Sequence, residues 1–264
     1  MCSSDLLLDW LATEFPRLGW SQKKLVRLIV TSSAYRQASA HRGEASERDA
    51  RNILLSRQNR LRLEAEVVRD LNLAVSGLLH SKIGGPSVRP RLPAGVAELG
   101  YAGTIKWTES EGKDRYRRGM YVFFQRTVPY PMLTAFDAPD SNVACTRRER
   151  SNTPIQALTT LNDPVFFECA QALGVRLMRE GGEGPEARLR YGVLLCLGRP
   201  AGKEEVDRLL QLHGEATASL RKDPAAAAKL VGTSKATAGD VVETAAMIVV
   251  GRVLTNLDEF VTRE

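Results

Sequence analysis

Apolar residues recur at helical spacing along most of this chain, and that periodicity narrows the fold more than any other feature. Leu25, Leu28, Ile29, Ser32 and Tyr35 fall at i, i+3, i+4, i+7 and i+10, which is one face of an amphipathic helix. Ser21 stands where a capping hydroxyl is needed. Leu7 to Phe15 carries a similar stripe, closed by Pro16 and Gly19. A longer helix is expected from about Leu61 to Leu79, with Leu63, Val67, Val68, Leu71, Val75, Leu78 and Leu79 on its inner face and Gly77 weakening its last turn. Thr153-Pro154 and Asn162-Asp163-Pro164 each put a capping side chain before a proline whose fixed φ suits the first helical turn. They predict helices running to about Leu161 and Arg179. Three more are expected: 186–197, Lys203 to about Leu220, and a last one from a cap at Asp240 to about Asn256.

The intervening segments read differently. Residues 39–50 are polar and aperiodic, a surface loop, and 86–118 form a long irregular excursion broken by Pro86, Pro90 and Pro93. Tyr116 to Val128, rich in aromatic and β-branched residues, predicts the one strand, paired with an extended piece of the preceding loop. Gly181 to Pro185 reads as a linker. With aromatic residues at only 6%, a sandwich of aromatic-rich strands is disfavoured. The expected fold is therefore mainly α, a multi-helix orthogonal bundle with one short β-strand pair and a long irregular loop. Residues 7–180 would form a main helical domain with a loop and β insertion at about 84–130, and 181–264 a C-terminal helical subdomain packed on it.

Charge and cysteines restrict function. Residues 1–150 carry a net +8 and residues 151–264 a net −2, a basic half suited to acidic glycans or an anionic partner. The arginines are dispersed among acids with no aromatic-interleaved stripe, so nucleic-acid binding is not expected. Thr244 to Gly251, the longest uncharged apolar stretch near the end, falls far short of the roughly 20 residues that cross a bilayer, and no signal peptide is legible. Cys2, Cys145, Cys169 and Cys196 show no Cys-x-x-Cys spacing, and His41, His80 and His213 are scattered. Neither haem attachment nor a zinc or histidine metal site is supported, and buried free thiols are expected.

The stretch from Ala135 to Asp140, then Cys145, then Arg147-Arg148-Glu149-Arg150-Ser151-Asn152-Thr153-Pro154 through Asn162-Asp163-Pro164, resembles the signature of a planctomycete domain-of-unknown-function family, number 1553, also called the PSD-one domain. Supporting matches are Leu8 to Ala12, Arg27 to Ser32 followed by Tyr35-Arg36-Gln37, Arg62-Leu63-Glu64-Ala65-Glu66 with Arg69-Asp70, Gly84 to Val88, and Leu197 to Pro200. The resemblance implies the C-terminal module of an exported multidomain protein with a cytochrome-c-like domain, hence an extracytoplasmic setting, periplasmic or secreted. Any haem would belong to that other domain, with no cofactor in this chain, and partners would be the parent's other domains, an acidic glycan or a redox protein. Residues 1–6 resemble translated sequencing adapter, the family pattern beginning near Leu7.

One polar constellation stands out. Asp137 and Asp140 lie three apart on a Pro-rich turn, Arg147, Arg148 and Arg150 follow, and Gln156, Asn162 and Asp163 sit at helix starts. Carboxylates so spaced can bind Ca²⁺ or Mg²⁺ or act as acid and base. Equally, the acids and Asn162 can cap turns and helices while the arginines pair with Asp137 and Asp140. Trp107, beside Lys106, is the candidate for carbohydrate stacking. The expectation is an accessory, scaffold or binding module, with a carbohydrate-active hydrolase or oxidoreductase component using Asp137 and Asp140 as the alternative.

Overall fold

The structure, a computed structural model, describes residues 3–96, 107–126, 128–140, 142–232 and 240–263. Its contacts divide the chain into two compact units that meet in sequence at Leu61 and Arg62.

In the first unit, α1 (Ser3–Arg17) and α2 (Gln22–Thr31) realise the two N-terminal stripes. Pro16 lies inside the last turn of α1, and Gly19 and Trp20, with φ of 70° and 57°, reverse the chain. The Ser21 hydroxyl then accepts from the Lys24 amide at 3.4 Å, the expected cap. The apolar face of α2 is not buried as its periodicity predicts. Leu28, Ile29 and Tyr35 are 37%, 43% and 42% exposed. A stripe marks what a helix can bury, and burial needs a second apolar surface. Within 39–50, expected as loop, Gly43–Arg48 forms the short helix α3.

The second unit holds every buried apolar side chain among the described residues. It opens with a short pair of strands, β1 (Leu61–Arg62) with β2 (Thr262–Arg263), continued by the Leu63 amide donating to the Val261 carbonyl at 2.9 Å. The long N-terminal helix is shorter than predicted: α4 spans Ala65–Ser76. Gly77, expected to weaken the last turn, lies just beyond it at φ 79° as the left-handed C-cap. After α5 (Pro131–Ala135) and α6 (Pro154–Asn162) comes α7 (Pro164–Glu180), around which the unit is built. Through Phe166, Leu173 and Leu177, α7 joins Val68 and Val75 of α4 and the Tyr130, Met132 and Phe136 cluster. It also packs against α11 (Val241–Thr255), which α8 (Gly184–Leu197), α9 (Lys203–Lys222) and α10 (Pro224–Val231) surround. A Cβ on Gly174 would fall 2.8 Å from the Ile248 amide nitrogen, so the backbones of α7 and α11 are as close as glycine allows.

Two expectations are corrected. Gly181 to Pro185 is no linker, because α8 begins at Gly184 and a Cβ on Gly181 would meet the Arg188 Cα at 2.8 Å. It is a tight turn between packed helices. The described part of Tyr116 to Val128 is not a strand either. It contributes to two 3-10 turns, Gly112–Tyr116 and Gly119–Tyr121, and to isolated bridges His80 to Arg117 and Val88 to Val122. Side-chain anchors take the place of a ladder. The buried Arg117 guanidinium donates to the carbonyls of Lys82, Gly84 and Pro86 and lies 3.8 Å from the Tyr121 ring centre. The chain is mainly helical, with a single short strand pair among the described residues, and that pair joins the two ends of the unit.

Candidate functional site

The polar constellation forms where α4, α5 and α6 approach. Asp137 follows α5 in a left-handed conformation, φ 61°, unusual for a residue other than glycine. That turn aims its carboxylate at the segment before α6. Oδ2 accepts from the Ser151 amide at 2.7 Å, from the Ser151 hydroxyl at 2.8 Å and from Gln156 Nε2 at 3.3 Å. Oδ1 accepts from the same hydroxyl at 3.0 Å. Gln156 is 1% exposed. Its Oε1 accepts from Arg62 Nε at 2.9 Å, and Arg62 also pairs with Asp258 at 2.9 Å. A chain of bonds thus runs from the α5 turn through α6 to both ends of the unit.

The arginines do not pair with Asp137 or Asp140. Arg148 reaches Glu66 at 2.8 Å and Glu64 at 3.0 Å, and Arg150 reaches Glu64 at 3.1 Å. Burial pushes the Glu66 carboxyl up, but the bonds and charge of Arg148 together with a backbone hydrogen bond outweigh that and hold it below the usual carboxylate range. Arg147 is exposed and makes no ion pair among the described residues. Asp140 accepts from the Asn142 amide and side chain in its own turn. Asn162 closes the end of α6, donating to the Leu158 carbonyl at 2.9 Å, so it does not start a helix. Asp163 caps α7, accepting from the Val165 amide at 2.8 Å and the Phe166 amide at 3.4 Å. Burial raises its pKa against those bonds and the charge of Arg69. Thr153 occupies the N-cap position of α6 without a side-chain cap bond.

The structure therefore unites Asp137, Ser151 and Gln156, ties Arg148 and Arg150 to the Glu64 and Glu66 end of α4, and leaves Asp140, Arg147, Asn162 and Asp163 in separate local roles. Every charged member of the Arg62 to Asp70 strip makes a remote contact. Arg69, fully buried, donates to the Arg115 carbonyl at 2.8 Å, and Asp70 pairs with Arg118 at 2.9 Å while accepting from the Gly119 amide. The strip is an inter-element ion network whose partners lie far along the chain.

Beside the Asp137 knot lies a cavity of about 660 Å³, lined by Pro129, Pro131, Thr134, Asp137, Ser151 and Ile155 among others. Its volume is within the range of small-molecule sites. A Ser-Asp pair without an intervening base is not a nucleophilic relay; it can orient a bound hydroxyl or amide. Trp107 is half-buried nearby in the same core. Its indole N–H donates to the Pro90 carbonyl at 2.7 Å and its ring stacks on Tyr130 at 5.9 Å, so one face is already covered. Ser151 and the Glu64–Glu66 pair are the partners that sequence reasoning did not place in the site. The signal available for Ser151 was its position between the arginine run and a helix start.

Among the described residues no three His, Cys, Asp or Glu side chains gather as a metal set, and no helix is long and apolar enough to cross a membrane. Cys145, Cys169 and Cys196 are free. Burial pushes the Cys169 and Cys196 thiols up to about 12; Cys2 lies outside the described residues.

No curated protein and no solved structure matches the chain. Residues 1–213 match the family described as PSD1, protein of unknown function (DUF1553), and with that match covering most of its length the chain belongs to this family.

Proposed function

We propose that the chain is an accessory binding module whose second unit presents a braced, apolar-walled pocket to a small polar group or a partner segment. One observation carries this reading: both oxygens of Asp137 are taken by Ser151, and Gln156 reaches one of them as well. A carboxylate so committed shapes a site and holds its charge, whereas a general acid or base needs an oxygen free for the proton it moves. The same reading makes the chain one part of an exported multidomain protein with a cytochrome-c-like domain, with haem in that domain and the setting extracytoplasmic. What supports this is the family signature over Asp137 to Pro164.

The alternative is a carbohydrate-active hydrolase or oxidoreductase component using Asp137 and Asp140. The left-handed backbone of Asp137 favours it, since strain of this kind collects at functional sites. Asp137→Asn and Asp140→Asn in the full chain, assayed with acidic polysaccharides, separate the two. The binding reading expects D137N to lower Tm by several degrees, because an amide cannot accept all the Ser151 bonds, and D140N to change little. Turnover by the parent chain that D137N abolishes with Tm unchanged would establish the enzyme instead.

A further inference from the structure

The first unit contains a cavity that the Asp137 site does not use. After α2 the Ser32 hydroxyl accepts from the Tyr35 amide at 3.2 Å, and the chain turns back. Residues 35–38 are held beside 58 by the Gln58 amide donating to the Ala38 carbonyl at 3.0 Å and the Gln58 side chain donating to the Tyr35 carbonyl at 3.4 Å. The return segment is organised by Asn52, which is 5% exposed and adopts φ 52°. Its Nδ2 donates to the Arg57 carbonyl at 2.8 Å and to Asn59 Oδ1 at 3.1 Å, and its Oδ1 accepts from the Arg57 amide at 3.2 Å. Asp49 accepts from the amides of Ile53 and Leu54 at 2.8 and 2.7 Å. Polar bonds, not apolar packing, set the two segments side by side.

Between them lies a cavity of about 620 Å³ whose lining includes Arg36, His41, Arg57 and Arg60 and no acidic residue. Among the described residues the guanidinia of Arg36 and Arg57 make no ion pair or hydrogen bond. Like charges gathered around a concavity repel until an anion enters, and a guanidinium fork meets an oxyanion through two parallel bonds. Ser39, on the same wall, adds a hydroxyl. The cavity thus offers cationic donors for an anion, a neutral polar wall at Ser39, and more volume than a free oxyanion fills.

The geometry points to a binding site for a small polyhydroxylated molecule carrying a phosphate or sulfate ester, its oxyanion between Arg36 and Arg57 and its hydroxyls on the Ser39 side of the cavity. This goes beyond the pocket at Asp137 and does not depend on it. Titration calorimetry on the full chain at fixed ionic strength, with glucose 6-phosphate, glucose 6-sulfate, inorganic phosphate, sulfate and glucose as probes, tests it. An ester is expected to bind saturably at least tenfold more tightly than its free oxyanion, with glucose silent, and the tighter of the two esters identifies the oxyanion. Arg36→Gln and Arg57→Gln should each weaken the ester at least tenfold with Tm unchanged. Arg57→Lys, which keeps the charge and loses the fork, should weaken it less and guards against a glutamine variant that fails to fold. The proposal is overturned by no saturable binding of either ester, by free phosphate or sulfate binding as tightly as the esters, or by full affinity in both glutamine variants.

Discussion

At Gly174 the missing side chain is the contact. A Cβ there would lie 2.8 Å from the Ile248 amide and 2.5 Å from its Cγ1, both in the middle of α11. Overpacking of this kind costs about 1–3 kcal/mol, so Gly174→Ala should lower Tm by several degrees in a thermal melt, while Ala at Gly43, where nothing lies within 4 Å, should not. Thiol chemistry gives a second prediction. Maleimide labelling of the native chain, mapped by peptide mass, should modify exposed Cys145 and spare Cys169 and Cys196 until denaturant is added. The Asp163-Pro164 cap was legible because side-chain capping is local chemistry. The burial of Arg69 was not, since a charged residue on a helix looks solvent-facing until the Arg115 carbonyl arrives from 46 positions away.

Helices were the most legible elements, and their faces less so. On α4, Val67 was expected inside but is 40% exposed, while Leu73, left off the inner face, is fully buried. Periodicity finds the stripe to within one position, and the neighbours choose its edge. The Asp223-Pro224 cap of α10 repeats the grammar of Asp163-Pro164 and could have been read in the same way. Two element-level carboxylates respond to acid with opposite signs. Glu66 has a folded pKa lowered by Arg148, so it stabilises the fold above the ordinary carboxylate range, and that contribution is lost as pH falls through the folded value. The Asp163 pKa is raised by burial, so its contribution is present at low pH and lost as pH rises through the folded value. Melts from about pH 6 down to about pH 3 should show Glu66→Gln losing less stability on acidification than the parent chain, and Asp163→Asn losing more.

For the whole molecule, the distribution of burial makes the clearest prediction. The buried apolar side chains of the described residues run from Ala65 to Val261 and none lies earlier. A chain of residues 62–263 should therefore fold by itself, with a helical circular dichroism spectrum and one cooperative melt. A broad, non-cooperative transition would show that the first unit is needed. What the amino-acid sequence determined alone was the mainly helical class, most helix caps and the charge asymmetry, because periodicity, capping and composition act over a few residues. What only the tertiary structure decided was where long-range partners fall. The aromatic run from Tyr116 spends its side chains on Arg117, Trp107 and the α5 cluster and builds no ladder, and the arginine run at 147–150 answers carboxylates of α4 some 80 positions earlier. Pairing of that kind depends on chain path, which the order of residue types does not encode locally.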